Sequence, residues 1–315
     1  MKYRIQFLTA LCCGLAACGT TNDEAGTASE LVEISISDAS LTLDEATATR
    51  AATGPLGNGA SIGVFMLNTS STGSPGYTQK YNVACTNNGG TWTFASPLFV
   101  DSRVAQLAAY YKDNSTVTFQ SETSPVVTAG AFAVQRYKTD GSNQMWYFDN
   151  SQTSVKNTAP TATFTLKPAY SLLTLSLTKD AAYVFGPGAV TNVTVSGYYK
   201  DVTFNLANGT TTQATAGSFT DALNATLTAT ANKDFAVLLP PQTLPSAGIT
   251  VTLLVDGAAR EVTVPGSAFP GGKLLPGETY TLNLTLSKGV SILFGSNSVP
   301  GVTTGGGGDS LQLPD

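Results

Sequence analysis

Along most of the chain, apolar and polar residues change places at every second position, the period of a strand with one buried face. In the second half Leu173, Leu175 and Leu177, then Val193 and Val195, then Val202, Phe204 and Leu206 follow it. Ile249, Val251, Leu253 and Val255, then Val262 and Val264, then Tyr280, Leu282, Leu284 and Leu286 do the same. A slip of one residue would turn each of these faces to water, so the register is well specified. Asn208-Gly209 and Asp256-Gly257 supply the positive φ that tight hairpins need. The first half is less regular, with Ile62, Val64 and Met66, then Tyr81, Val83 and Cys85, then Trp92 and Phe94, then Val117 and Phe119. The Arg103 to Tyr111 run fits a strand or a short helix equally. Many short strands without a long helical period predict an all-β protein of Greek-key β-sandwich type.

The N-terminus has another pattern. Met1, Lys2, Tyr3 and Arg4 precede an apolar run from Ile5 to Leu15, too short to span a bilayer and suited to a signal peptide. Leu15, Ala16, Ala17, Cys18 and Gly19 follow, so cleavage between Ala17 and Cys18 would leave a cysteine able to carry lipid. An ordinary secretory signal with an incidental cysteine is the alternative. Residues 19–30 are small and polar, as in a solvated tether. Val32, Ile34 and Ile36 then alternate, and Leu41 and Leu43 resume the alternation after an interruption from Ser37 to Ser40, which predicts a strand with a bulge.

Charge separates this segment from the body. Between Cys18 and Arg50 there are seven acids and one Arg, whereas residues 51–315 hold fourteen acids and thirteen bases. No basic stripe exists, so nucleic acid is not an expected partner. Only Cys85 lies in the body, where it has no partner, so disulfides do not organise the fold. Its place in the Tyr81, Val83, Cys85 alternation reads as a small buried apolar residue.

The sequence contains no histidine, which removes the commonest general base and metal ligand. Gly59-Ala60-Ser61-Ile62-Gly63 has the form of a nucleophile elbow, but no Ser-His-acid triad can be built around it. Gly266 to Lys273 departs from a phosphate-binding loop by one residue and by Leu274 where Ser or Thr is required, so it reads as a turn. The four glycines Gly305 to Gly308 before Asp309 read as a linker. No catalytic residue, metal site or cofactor is expected, and the protein is not expected to be an enzyme.

Arg50 is the only basic residue between Cys18 and Lys80, and small residues followed by Gly54-Pro55 surround it. Extended, accessible backbone of that kind suits a trypsin-like protease; a solvated surface Arg is the other reading. If the Leu31 to Leu43 strand belongs to the first sheet, cutting between Arg50 and Ala51 would release it. The open edge left behind would invite a strand from another chain.

Asn192 to Thr210, Leu238 to Pro265 and Leu275 to Ser287, with looser matches at Ala108 to Tyr111 and Met145 to Asp149, resemble the fimbrillin family of type V pilus lipoproteins. The resemblance implies two transthyretin-like β-sandwich domains in tandem and export to the outer membrane through lipid on Cys18. It also implies cleavage after Arg50 and assembly into a cell-surface fimbrium by donor-strand exchange with other pilus subunits. The displaced strand would carry Val32, Ile34, Ile36, Leu41 and Leu43. The donor candidates are Val290, Ile292 and Phe294, and also Leu311 and Leu313. The four-glycine spacer and the Leu-Gln-Leu-Pro-Asp ending depart from the family pattern.

The expected organisation is a signal peptide over 1–17, an acidic tether and propeptide strand over 18–50, sandwiches over 51–157 and 158–295, and a tail over 296–315. Two other readings stay open. One is an anchored surface lipoprotein that binds glycan on Trp92, Trp146, Tyr198 and Tyr199; the other is a lipid-retaining anchor subunit, for which Arg50 has no role. A host or bacterial surface receptor is a further expected partner, with no residues assigned to it.

Overall fold

The computed structural model describes residues 30–42, 54–67, 77–112, 126–127, 133–138, 143, 145–288 and 292–294. The described chain is mostly strand joined by turns and loops, and its helical pieces are two short 3-10 turns at Gly266–Ala268 and Pro270–Gly272. Its main strands are β1 (Ser35–Leu41), β2 (Ser61–Leu67), β3 (Lys80–Asn88), β4 (Thr91–Phe94), β5 (Ala105–Lys112), β6 (Trp146–Val155) and β7 (Thr161–Pro168) in the first half. The second half holds β8 (Ser171–Lys179), β9 (Ala189–Tyr199), β10 (Ala216–Thr226), β11 (Lys233–Leu239), β12 (Ile249–Val255), β13 (Ala258–Val264), β14 (Thr279–Leu286) and β15 (Ile292–Phe294). The Arg103 to Tyr111 run is thus resolved as strand β5.

The first unit is one curled sheet of eight strands. Its order is Gly54–Pro55, β1, β7, β6, β5, β2, β3, β4. The far strands β1 and β4 come back into contact, enclosing a core with Ile62, Val64, Leu107, Trp146 and Phe164 inside. β2 has no polar residue between Ile62 and Met66 and is buried on both faces, so Phe65 is as inaccessible as Val64. Phe65 stacks on Tyr110, with ring centroids 5.4 Å apart.

The second unit packs two sheets face to face. One runs Gln135–Arg136, β11, β8, β14, β15, and the other β10, β9, β12, β13. Every alternating residue named for this half faces inward: Leu173, Leu175 and Leu177 meet Val193, Val195, Val251 and Leu282 in one cluster, while Phe204 and Leu206 join the first core. Asp256 and Gly257 both have positive φ, at 49° and 80°, and close the β12–β13 hairpin with Val255 paired to Ala258.

The pairing moves the junction of the units. The sequence places it near residue 157, but β7 joins the first sheet, with Thr161 to Leu166 opposite β1 and Pro168 opposite Tyr147. Only after Ala169-Tyr170 does the chain enter the second unit. Pro160 therefore stands just before β7, where its missing N–H costs no ladder bond and its carbonyl accepts from the Ser35 N–H at 3.0 Å. Two short pieces of the first half also cross over: Val126–Val127 pairs with Phe204–Asn205, and Gln135–Arg136 pairs with Val237–Leu238.

Candidate functional site: the groove around the first strand

β1 lies parallel to β7 and, among the described residues, has no antiparallel partner over its middle. On one side Ser35, Ile36, Asp38, Ala39, Ser40 and Leu41 face Thr161 to Leu166 in register. On the other side, among the described residues, Ser40 and Leu41 pair with Pro55 and Gly54, and the Ala39 carbonyl accepts from the Leu56 N–H at 2.9 Å. Just before β1, Val32 and Glu33 pair with Val100 and Phe99, and the Ile34 N–H donates to the Leu98 carbonyl at 2.8 Å. The strand is zipped along one edge and tacked at its two ends on the other.

Its inward face is apolar. Ile34, Ile36, Ala39 and Leu41 are all buried, while Ser35 and Ser37 are exposed. The register slips by one residue between Ala162 and Thr163, which is the bulge anticipated at Ser37 to Ser40. The slip changes which parity faces inward, so Ala39 and Leu41 follow Ile36 into the core and Asp38 stays out. Ala39 is fully buried although the strand pattern named only the larger residues around it. Leu56, Leu98 and Val100 belong to the same core cluster.

Hydrogen bonds along the outward edge are made by small hydroxyls. Ser35 and Thr161 approach to 3.0 Å, and Ser37 donates to the Ala162 carbonyl at 3.2 Å. At about 1.5–3 kcal/mol for each buried large side chain, Ile34, Ile36 and Leu41 contribute about 5–9 kcal/mol. That compares with about 5–15 kcal/mol for the whole stability of an ordinary domain. The groove cannot be left empty without endangering the first unit.

At the mouth of the groove, the Asp101 carboxylate holds the 99–104 loop. It accepts from the Arg103 N–H at 2.8 Å, from Arg103 Nε at 3.0 Å and from the Tyr77 hydroxyl at 2.6 Å. The Arg103 guanidinium keeps the Asp101 carboxyl well below the usual carboxylate range, and lies 4.4 Å from the centre of the Tyr77 ring. Burial pushes the Tyr77 phenol up, and its hydrogen bond to Asp101 adds to this. The Asn157 N–H donates to the Asp101 carbonyl at 2.8 Å, and its side chain donates to the Glu30 carbonyl, so the incoming chain is tied to the same loop.

The second unit repeats the plan with one difference. β8, its first strand, is parallel to β14 from Leu172 opposite Thr279 to Lys179 opposite Leu286. Unlike β1, it is also paired on its other side, to β11 over seven residues. The same first-with-last parallel pair is locked in one unit and open-sided in the other.

Ala17, Cys18, Leu43, Arg50, Ala51, Val290, Leu311 and Leu313 lie outside the described residues. Ile292 and Phe294 fall in β15, which pairs antiparallel with Leu284 to Leu286 at the edge of the second unit. The aromatic platform considered for glycan is not formed, because Trp92, Trp146 and Tyr198 are buried in the cores and Tyr199 is half-buried. Ser61 opens β2 and its hydroxyl lies 3.1 Å from that of Thr86. Cys85 is fully buried, and desolvation pushes its thiol up to about 12. Among the described residues no cluster of acids and cysteines could hold a metal ion, and no helix is long and apolar enough to cross a membrane.

Over residues 49–300 the sequence matches the fimbrillin-like family. The chain belongs to that family. Among solved structures, the chain is similar to a candidate cell adhesion protein from Bacteroides uniformis, at 18% identity over 85% of this chain and 98% of that one, with a TM-score of 0.49. A fimbrial protein from Bacteroides vulgatus aligns at 13% identity over 85% and 99% of the two chains, with a TM-score of 0.46. The C-terminally truncated tip fimbrial protein of Porphyromonas gingivalis aligns at 12% identity over 81% and 93%, with a TM-score of 0.38. Among curated protein sequences no significant match is found. Membership makes the chain a structural subunit of a cell-surface fimbrium.

Proposed function

We propose that this chain is exported as a lipoprotein on Cys18, cut between Arg50 and Ala51, and polymerised by exchanging β1 for a strand of another subunit. The observation that carries the reading is the asymmetry of β1, paired along one edge and tacked only at its ends on the other. Leu41 and Gly54 are partners, and Arg50 lies in the segment between them. Cleavage there removes the covalent tie and leaves β1 held by non-covalent contacts alone. The family match begins at residue 49, beside the proposed cut.

Loss of β1 bares the Thr161 to Leu166 edge and the sockets of Ile34, Ile36, Ala39 and Leu41. An extended apolar segment can re-form both the backbone bonds and the burial, which is strand addition in trans. The donor is a C-terminal segment of another subunit, either Val290, Ile292 and Phe294 or Leu311 and Leu313. Partner subunits are further copies or the tip and anchor components of the fimbrium. On this reading the two units are transthyretin-like sandwiches, and the lipid on Cys18 serves transport to the outer membrane.

Arg50→Ala tests the reading in the producing cell. The expected result is a full-length lipidated chain and no SDS-resistant ladder. Ladders of normal length from Arg50→Ala would defeat the cleavage step. Removing residues 296–315 separates the donors: loss of ladders assigns the role to Leu311 and Leu313, and retained ladders assign it to Val290, Ile292 and Phe294.

A further inference from the structure

Seven large apolar side chains are exposed among the described residues: Leu31, Leu254 and Leu275, and two pairs that each lie within one short segment. Phe99 and Val104 flank the Asp101 loop at the mouth of the β1 groove and are 47% and 42% exposed. Val184 and Phe185 are 81% and 58% exposed, in the loop that follows β8.

Strand direction puts these pairs at opposite ends of the chain's two units. β7 runs from Thr161, beside the groove mouth, to Pro168 at the junction, about 23 Å for seven steps. β8 then leads from Ser171 at the junction to Lys179 just before the second loop, about 26 Å for eight steps. Leu172, Phe204 and Leu238 join the first core cluster, which fixes the junction between those ends.

Both loops are held rigid by an aspartate bonded to a tyrosine. Asp101 does this for the first loop. In the second, Asp256 accepts from the Tyr183 hydroxyl at 3.0 Å and from the Gly188 and Ala189 N–H groups at 3.0 and 2.9 Å. Lys179 Nζ donates to the Pro187 carbonyl at 2.9 Å, and Phe185 packs edge-on to Tyr183 with centroids 5.9 Å apart. Val184 and Phe185 are therefore presented in one conformation, so burying them costs little further ordering. A Val beside a Phe, without convergent polar groups, suits an apolar protein surface rather than a sugar.

Two apolar patches at opposite ends of one chain make a heterologous contact, the kind that continues into an open filament instead of closing as a dimer. We infer that the Val184-Phe185 loop of one subunit seats against the Phe99 to Val104 loop of the next copy of this chain. The inference rests on the fimbrial polymer reading. The patches are too small to bind stably alone, so the contact accompanies strand exchange, speeds it and fixes the angle between subunits.

The test uses the full chain in the producing cell, with Phe185→Cys and Val104→Cys combined and a short bismaleimide added to surface fimbriae. Cys85 is buried and does not compete. Bridging between copies in the double variant, absent from either single variant, is the expected result. SDS-resistant ladders without bridging would overturn the inference and leave strand exchange standing. Bridging without such ladders would support the contact and defeat strand exchange, and absence of both defeats the two together. Val184→Ser with Phe185→Ser, which leaves folding intact because both side chains are exposed, should slow polymerisation about tenfold or more. An unchanged rate would contradict the contact, and unchanged ladders with lost adhesion would reassign the loop to a receptor.

Discussion

The hydroxyls of Ser37 and Thr163 lie 2.6 Å apart across the parallel β1–β7 pair, where the register slips by one residue. Were the alternation unbroken, Asp38 would follow Ile36 inward and a carboxylate would be buried without a partner. The bulge spares that cost and delivers Ala39 and Leu41 to the core instead.

The strand's contribution is measurable in the uncleaved chain. Ile36→Ala should lower stability by about 2–4 kcal/mol and Ala39→Leu by about 1–3 kcal/mol, the first through a cavity and the second through overpacking. Leu31→Ala, at a position 64% exposed, should change it by no more than about 0.5 kcal/mol. Urea denaturation followed by tryptophan fluorescence checks all three, since Trp92 and Trp146 both lie in the first core.

Acid should weaken the groove mouth. The Asp101 carboxyl is depressed by the Arg103 guanidinium, so its contribution is complete above the unfolded-state value near about pH 4 and is lost as pH falls through the lower folded-state value. Asp101→Asn removes the charge. The stability gap between the natural chain and Asp101→Asn should be widest at neutral pH and narrow below about pH 4, as read from urea midpoints across a pH series.

Cys85 reports whether the first unit is closed. Burial raises its thiol to about 12, so a maleimide at pH 8 should leave it unmodified in the native chain. In rising urea, labelling should follow the fluorescence transition. Rapid labelling without denaturant would contradict the packed core around it.

Phe148 and Phe204 meet edge-to-face across the two units, with centroids 4.9 Å apart. With the crossed strands Val126–Val127 and Gln135–Arg136, this contact ties the units into one cooperative block. Phe148→Ala and Phe204→Ala should each cost about 3–5 kcal/mol, and the double variant should fall short of their sum by about 0.5–1.5 kcal/mol. Calorimetry of the natural chain should show one transition.

The alternation made the second unit legible, because Leu173, Val251 and Leu282 each sit in a two-residue period whose apolar members enter the core. The bulge in β1 was legible for the same reason, as a break in an otherwise regular period. Pairing partners were not. Nothing in Gln135-Arg136 says that two residues of the first half complete an edge of the second unit, since a two-residue strand has no period. Pro160 reads equally as the end of a linker or the start of a strand, and only the ladder to Ser35 distinguishes them. Tyr81 and Val83 are half-buried because Asn82, at a φ of 52°, lies in a bulge of β3 that shifts the alternation. In β1, the side that is only partly paired among the described residues depends on which other strands lie beside it, and the strand's own residues do not encode that.

The central claim is that β1 leaves with a cleaved N-terminal segment and is replaced by a strand of another copy. N-terminal sequencing and intact mass of the protein in SDS-resistant ladders purified from the cell surface test it most directly. Chains that begin at Ala51 and carry no lipid are the predicted result. Ladders built of chains that still begin at lipidated Cys18 would contradict it.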